Sequence, residues 1–120
     1  MEIHSAYMKK VVLGEEDRIR KEIALSVYRS FKDAGYRVSV SHDSQNESEK
    51  TALAGKQFLD LVFNSDWDSD RCWVFAAKNG MKSPLWVLLV LDNVEDLISD
   101  YHMGAEAILA KANETAEKYQ

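Results

Sequence analysis

The chain has 120 residues, 46% of them hydrophobic and 29% charged, which supports one self-sufficient core and excludes a disordered polyelectrolyte. Its 15 Lys and Arg against 20 Asp and Glu give a formal charge of −5, which speaks against general phosphate-backbone binding and is compatible with a basic protein partner or with ordinary solvation. A single cysteine, Cys72, excludes an intrachain disulfide and fits a reducing, cytoplasmic setting, and the longest apolar run, Leu85 to Leu91, is far below a membrane span.

Residues 1–13 read as an N-terminal arm or a short strand, and residues 14–120 as a single α+β domain. The apolar residues after Lys9 and Lys10 are too few for a signal-peptide core. Glu15, Glu16 and Asp17 open a helix, with acid at its positive end. Ile19, Ile23, Val27, Phe31 and Ala34 recur at steps of three and four and share one face, and Gly35 suits the position just past the helix end. From Tyr36 to His42 apolar and polar residues alternate, the pattern of a half-buried strand with Tyr36, Val38 and Val40 pointing one way. Residues 43–48 form a polar loop in which Ser44 to Glu47 matches a capping box. A second helix is therefore expected to start near it and run to about Phe63, burying Ala54, Phe58, Leu61 and Val62.

After a polar, acidic loop at 64–70, Cys72 to Lys78 has strand composition, and Asn79-Gly80 is a strong hairpin signal because both residues tolerate positive φ. Pro84 cannot donate to a ladder, so the return strand begins after it, at Leu85. That strand is apolar at every position to Leu91, which predicts a central strand covered on both faces. Asn93 can cap a closing helix with Glu95 and Asp96 in its first turn and Leu97, Ile98, Tyr101, Ala105, Ile108 and Ala112 as its apolar stripe, which Gly104 bends or divides. The expected order is α-β-α-β-β-α: a mainly antiparallel sheet of three strands, or of four if residues 3–13 add one, with helices packed on it. If no fourth strand forms, the second sheet face is free to be an interface, a homodimer included.

Little in the sequence carries chemistry. Asp66, Asp68 and Asp70 alternate as in a calcium loop, but Arg71 stands where such a loop needs Gly and Ala77 where it needs a bidentate Glu. Asp92, Glu95, Asp96, Asp100 and His102 form a second acidic cluster that could hold a divalent ion, although acids at a helix start are explained equally well by its dipole. Cys72 could pair with His42 or His102 as nucleophile and base, yet a lone cysteine at a strand start is more often a small core residue. The five glycines are scattered, so no phosphate loop forms, and nothing calls for a cofactor. Trp73 and Trp86 fit core or cross-strand packing. Trp67 lies among acids in a polar loop, which makes Asp66, Trp67, Asp68 and Asp70 the candidate partner-binding residues.

Three segments between about residues 58 and 101 resemble a family of small proteins from bacteria, phages and plasmids that have no assigned activity. Leu61 to Asp66 is similar to the family's segment closing a helix, Trp86 to Val90 to its apolar strand, and Asn93 with Asp96 to Tyr101 to its Asn…Asp-Val-Ile-Ser-Asp-Tyr ending. Asp92 stands where the family usually has Gly. The resemblance implies a mobile-element setting and assigns no catalytic role. The leading functional expectation is a non-enzymatic interaction protein, a regulator or inhibitor of a host protein. The alternatives are a small metal- or cysteine-dependent enzyme using Asp92 to Asp100 or Cys72, and a structural homodimer.

Overall fold

Gly35 ends the first helix as the sequence predicts, and the atoms show how. In the computed structural model, which describes residues 2–42, 50–63, 70–92 and 96–119 with side chains described from residue 15 onward, Gly35 has φ +87°. Its N–H bonds to the Lys32 carbonyl, and the Tyr36 N–H reaches back to Phe31 at 3.0 Å. These two bonds satisfy carbonyls that the last turn would otherwise leave open. The accompanying apolar contact is present, with the Phe31 and Tyr36 rings edge to face at 5.9 Å. The Lys78 ammonium lies 4.3 Å over the Tyr36 ring, tying the hairpin loop to this corner.

The helix that ends here, α1, runs Glu2–Asp33, so residues 2–13 are helical and do not form the short strand, one of the two expectations for this segment. Arg18–Glu22, Arg20–Glu16 and Lys21–Asp17 pair four residues apart along it, the Arg20 side chain mostly buried and the others more open. Ile23, Val27 and Phe31 are buried as the periodicity predicts, joined by Ala24 and Tyr28, whereas Ile19 and Ala34 are only half-buried.

The other elements are β1 (Arg37–Ser41), β2 (Lys50–Ala52), α2 (Gly55–Val62), β3 (Arg71–Ala77), β4 (Leu85–Val90), β5 (Ile98–Tyr101), a 3-10 turn (Met103–Ala105) and α3 (Ala110–Glu117). The class is α+β, as expected, but the sheet has five strands in the order β2-β1-β3-β4-β5, every neighbouring pair antiparallel. Two expected helices are corrected. The second is shorter, because Lys50–Ala52 is a strand against β1 and α2 starts only at Gly55. The capping box at Ser44 to Glu47 lies outside the described residues. At the observed start Gln57 accepts from the Leu53 N–H at 2.8 Å. Phe58 and Val62 are buried, Leu61 is half-buried and Ala54 is exposed. Gly55 packs close to α1: a Cβ there would come within 2.9 Å of the Leu25 terminal methyl, which would have to shift to admit it.

The closing helix expected from Asn93 is replaced by β5, the 3-10 turn and α3. Asn93 and Glu95 lie outside the described residues. β5 pairs Tyr101 with Val87, Asp100 with Leu88 and Ile98 with Leu89, so Ser99 is an extra residue in a bulge. His102 begins the 3-10 turn, its Nδ1 accepting the Gly104 N–H at 2.8 Å.

The pairing sorts the strand residues onto two faces. Val38, Val40, Ala52, Cys72, Val74, Ala76, Leu85, Val87 and Leu89 face the helices and are all buried. Against them pack Ala24, Val27, Tyr28 and Phe31 of α1, Phe58 and Val62 of α2, and Ala105, Leu109 and Ala112 near the C-terminus. Tyr28 and Phe58 have ring centroids 5.0 Å apart at the centre. A smaller cluster of Ile23, Leu97 and Ala116 closes one end. β4 is central as expected, but among the described residues helices cover only one of its faces: Leu85, Val87 and Leu89 are buried, while Trp86, Leu88 and Val90 are half-exposed. No helix is long and apolar enough to cross a membrane among the described residues.

Candidate functional site

The helix-free face of the sheet follows from the register. Thr51, Ser39, Phe75 and Trp86 form one row across β2, β1, β3 and β4. Ser41, Trp73, Leu88 and Asp100 form the next across β1, β3, β4 and β5. Arg37 beside Ala77 and Arg71 beside Val90 flank these rows at opposite ends. The centre is therefore aromatic and aliphatic, and the corners carry two guanidiniums and a carboxylate.

Trp73 and Trp86, diagonal neighbours on adjacent strands, pack edge to face with centroids 5.6 Å apart. The His102 ring stands edge-on to Trp86 at 6.4 Å. Trp73, Trp86, Leu88 and Val90 are each partly open to solvent, and none belongs to the core packed by the helices. Toward β1 the face is closed: Phe75 is 8% exposed, Ser39 4% and Ser41 1%. The accessible apolar strip thus runs along β3 and β4.

Of the predicted partner-binding residues, Asp66, Trp67 and Asp68 lie outside the described residues. Asp70 is exposed at the entrance to β3, where its carbonyl accepts from Leu91 N–H at 2.6 Å. The acids proposed for a divalent ion do not share a helical face, because 98–101 is strand. Asp100 accepts the Tyr101 N–H at 2.8 Å, and His102 Nδ1 is engaged in its cap. Among the described residues no group of three or more His, Cys, Asp or Glu side chains is placed to hold a metal ion.

Cys72 faces the helix-covered core. Burial pushes its thiol up to about 12, the reverse of the lowered value an activated nucleophile needs. Its Sγ approaches the Trp73 carbonyl at 3.9 Å, and the His42 Nε2 donates to the Val62 carbonyl at 3.0 Å. Each of the two groups thus has a backbone partner, and the register that pairs Ser41 with Trp73 brings His42 across from Cys72 on the neighbouring strand, where burial keeps the thiol protonated.

A groove of about 660 Å³ lies on the other side of the molecule, between α1 and residues 107–115, lined by Leu25, Arg29, Ile108 and Lys111 among others. Its two serines donate to carbonyls of their own helix, Ser26 to Ile23 and Ser30 to Ser26, which removes them as ligand donors. The strip along β3 and β4 is the better candidate, and sequence reasoning treated its tryptophans only as packing. The signal was the unbroken apolar run of β4, whose even-numbered residues needed a cover that no helix in the described residues supplies.

The chain matches no family model, no curated protein and no solved structure.

Proposed function

We propose that the protein is a non-enzymatic protein-interaction module whose contact surface is the strip of Trp73, Trp86, Leu88 and Val90. The single observation that carries this reading is a cross-strand tryptophan pair, partly open to solvent, on a sheet face outside the helix-packed core. Tryptophans in a partly desolvated apolar patch are the usual anchors of protein contacts. Arg37, Arg71 and Asp100 at its margin supply the polar rim that such contacts have. Asp66, Trp67, Asp68 and Asp70, which precede β3 in the sequence, are the further partner-binding residues of this reading. In the mobile-element setting that the resemblance implies, the partner is a host protein and the module regulates or inhibits it.

Affinity capture with the wild type, Leu88→Asp and Trp67→Ala tests the proposal, with circular dichroism confirming that each variant folds. A specific partner lost with Leu88→Asp supports it. A partner retained by Leu88→Asp and lost with Trp67→Ala moves the contact to the loop. Light scattering distinguishes a second copy: a dimer that Leu88→Asp converts to monomer identifies the protein as its own partner.

A further inference from the structure

The turn at Asn79-Gly80 has a property independent of partner binding. Of the five asparagines in the chain, at 46, 64, 79, 93 and 113, only Asn79 precedes a glycine. Asn79 is exposed, beyond the last ladder pair of Ala76 with Leu85, in a loop that no strand pairing constrains. A Cβ placed at Gly80 would meet nothing within 4 Å, so the residue stands clear of the rest of the fold on that side. Asn113, by contrast, lies within α3.

We infer that Asn79 is a site of spontaneous deamidation and isomerisation. The Gly80 amide nitrogen, losing its proton to solvent base, attacks the Asn79 side-chain carbonyl. A C–N bond forms, the side-chain amide C–N bond breaks, and ammonia leaves with the proton. Water then adds to one of the two carbonyls of the resulting succinimide and opens it. The product is aspartate, or isoaspartate when the main chain is routed through the former side chain. No oxidant, reductant or enzyme is consumed.

The attack needs the Asn79 backbone to rotate out of the turn. What holds the turn is modest: the Met81 N–H bonds to the Lys78 carbonyl at 3.2 Å, and the Lys78 N–H to the Met81 sulfur at 3.2 Å. Opening these bonds leaves the ladder intact, so it is a local fluctuation and not a global one. The absence of a Cβ at Gly80 then lets the nitrogen approach. Isoaspartate adds a main-chain carbon between Lys78 and Met81, the span that the turn bond closes, and either product adds negative charge between Lys78 and Lys82. The isoaspartate form therefore strains the turn bond, and the charge of either form acts on the Lys78 ammonium that sits on Tyr36.

The experiment is incubation of the folded full chain in mildly alkaline buffer at body temperature, with peptide mapping by mass spectrometry. Conversion at Asn79 ahead of the other four asparagines is the expected result. Gly80→Ala should slow it roughly tenfold by placing a methyl beside the attacking nitrogen, and Asn79→Gln, with its longer side chain, should abolish it. A Gly80→Ala variant that misfolds leaves the Asn79→Gln comparison and the wild-type map to decide. An intact Asn79 after another asparagine has converted overturns the inference. So does conversion only under conditions that unfold the protein.

Discussion

The two faces of one sheet are built from the same strands and differ in almost everything else. On the helix side, Cys72, Val74 and Ala76 alternate with Leu85, Val87 and Leu89 against three helices, and none is more than 7% exposed. On the other side, Trp73 and Trp86 meet each other, beside Leu88 and Val90, and stay partly wet. Smaller aliphatic residues fill the enclosed layer, and large amphipathic rings occupy the open one. The difference teaches where the burial that holds the fold is concentrated. The enclosed face holds the fold, and the open face can change without unfolding it.

That comparison breaks most sharply with one charge moved by one residue. Val87→Asp puts an unpaired carboxylate into the enclosed layer and is expected to cost more than about 4 kcal/mol, leaving the chain unfolded in a urea titration. Leu88→Asp, on the open side, is expected to cost less, about 1–2 kcal/mol, part of it from the Asp100 carboxylate directly across the ladder. Equal losses would mean that both faces are interior.

Phe58→Ala tests the enclosed layer by subtraction. It removes a fully buried ring that packs at a tilt against Tyr28 and is expected to cost about 3–5 kcal/mol by thermal or chemical unfolding. Cys72 tests the same layer by pH. Its buried thiol titrates near 12 in the fold against an ordinary value of 9.0. Below 9.0 both folded and unfolded chains keep the proton. Between 9.0 and about 12 only the unfolded chain ionises, so stability falls as pH rises. The slope is at most about 1.4 kcal/mol per pH unit, and it should vanish from the Cys72→Ala variant.

Trp86→Ala sharpens the open side. It removes a pairing worth about 1 kcal/mol beyond burial and should erase the coupled-indole signal in the near-ultraviolet circular dichroism. The smallest effect concerns the far end of the molecule, where the Tyr119 hydroxyl donates to Glu22. That bond, with help from Lys118, lowers the Glu22 carboxyl below its ordinary value. The stabilisation it gives is present above that value and is lost as pH falls through the lowered one. The difference between wild type and Tyr119→Phe should therefore be visible at neutral pH and close in acid.

Helical periodicity located the C-terminal half of α1, and alternation located β1, although β1 is not the half-buried strand that alternation predicts, because Ser39 and Ser41 on its polar side are buried as well. The antiparallel pairing of β3 with β4 was legible in Asn79-Gly80, although the ladder stops at Leu85 and the connection is longer than a two-residue turn. β5 was misread for a physical reason. The bulge at Ser99 puts Ile98 and Tyr101 on the same side of the sheet three residues apart, which is helical spacing produced by a strand. β2 was missed because Lys50 and Thr51 are exposed and only Ala52 is buried, so three residues carry no alternation to detect. The open strip was hidden by composition. A strand apolar at every position predicts two covers, and nothing in its letters says that one of them is not a helix of the same chain.

The margins of the sheet have a consequence of their own. β2 offers three residues of ladder and β5 four, the latter interrupted by its bulge. Among the described residues neither border gives an incoming chain a long, straight run of unpaired amides to zip onto. A β4 sequence as apolar as Leu-Trp-Val-Leu-Leu-Val would nucleate fibres if it stood at a border; flanked by β3 and β5, it is sealed from end-to-end growth while its ring-bearing surface stays accessible.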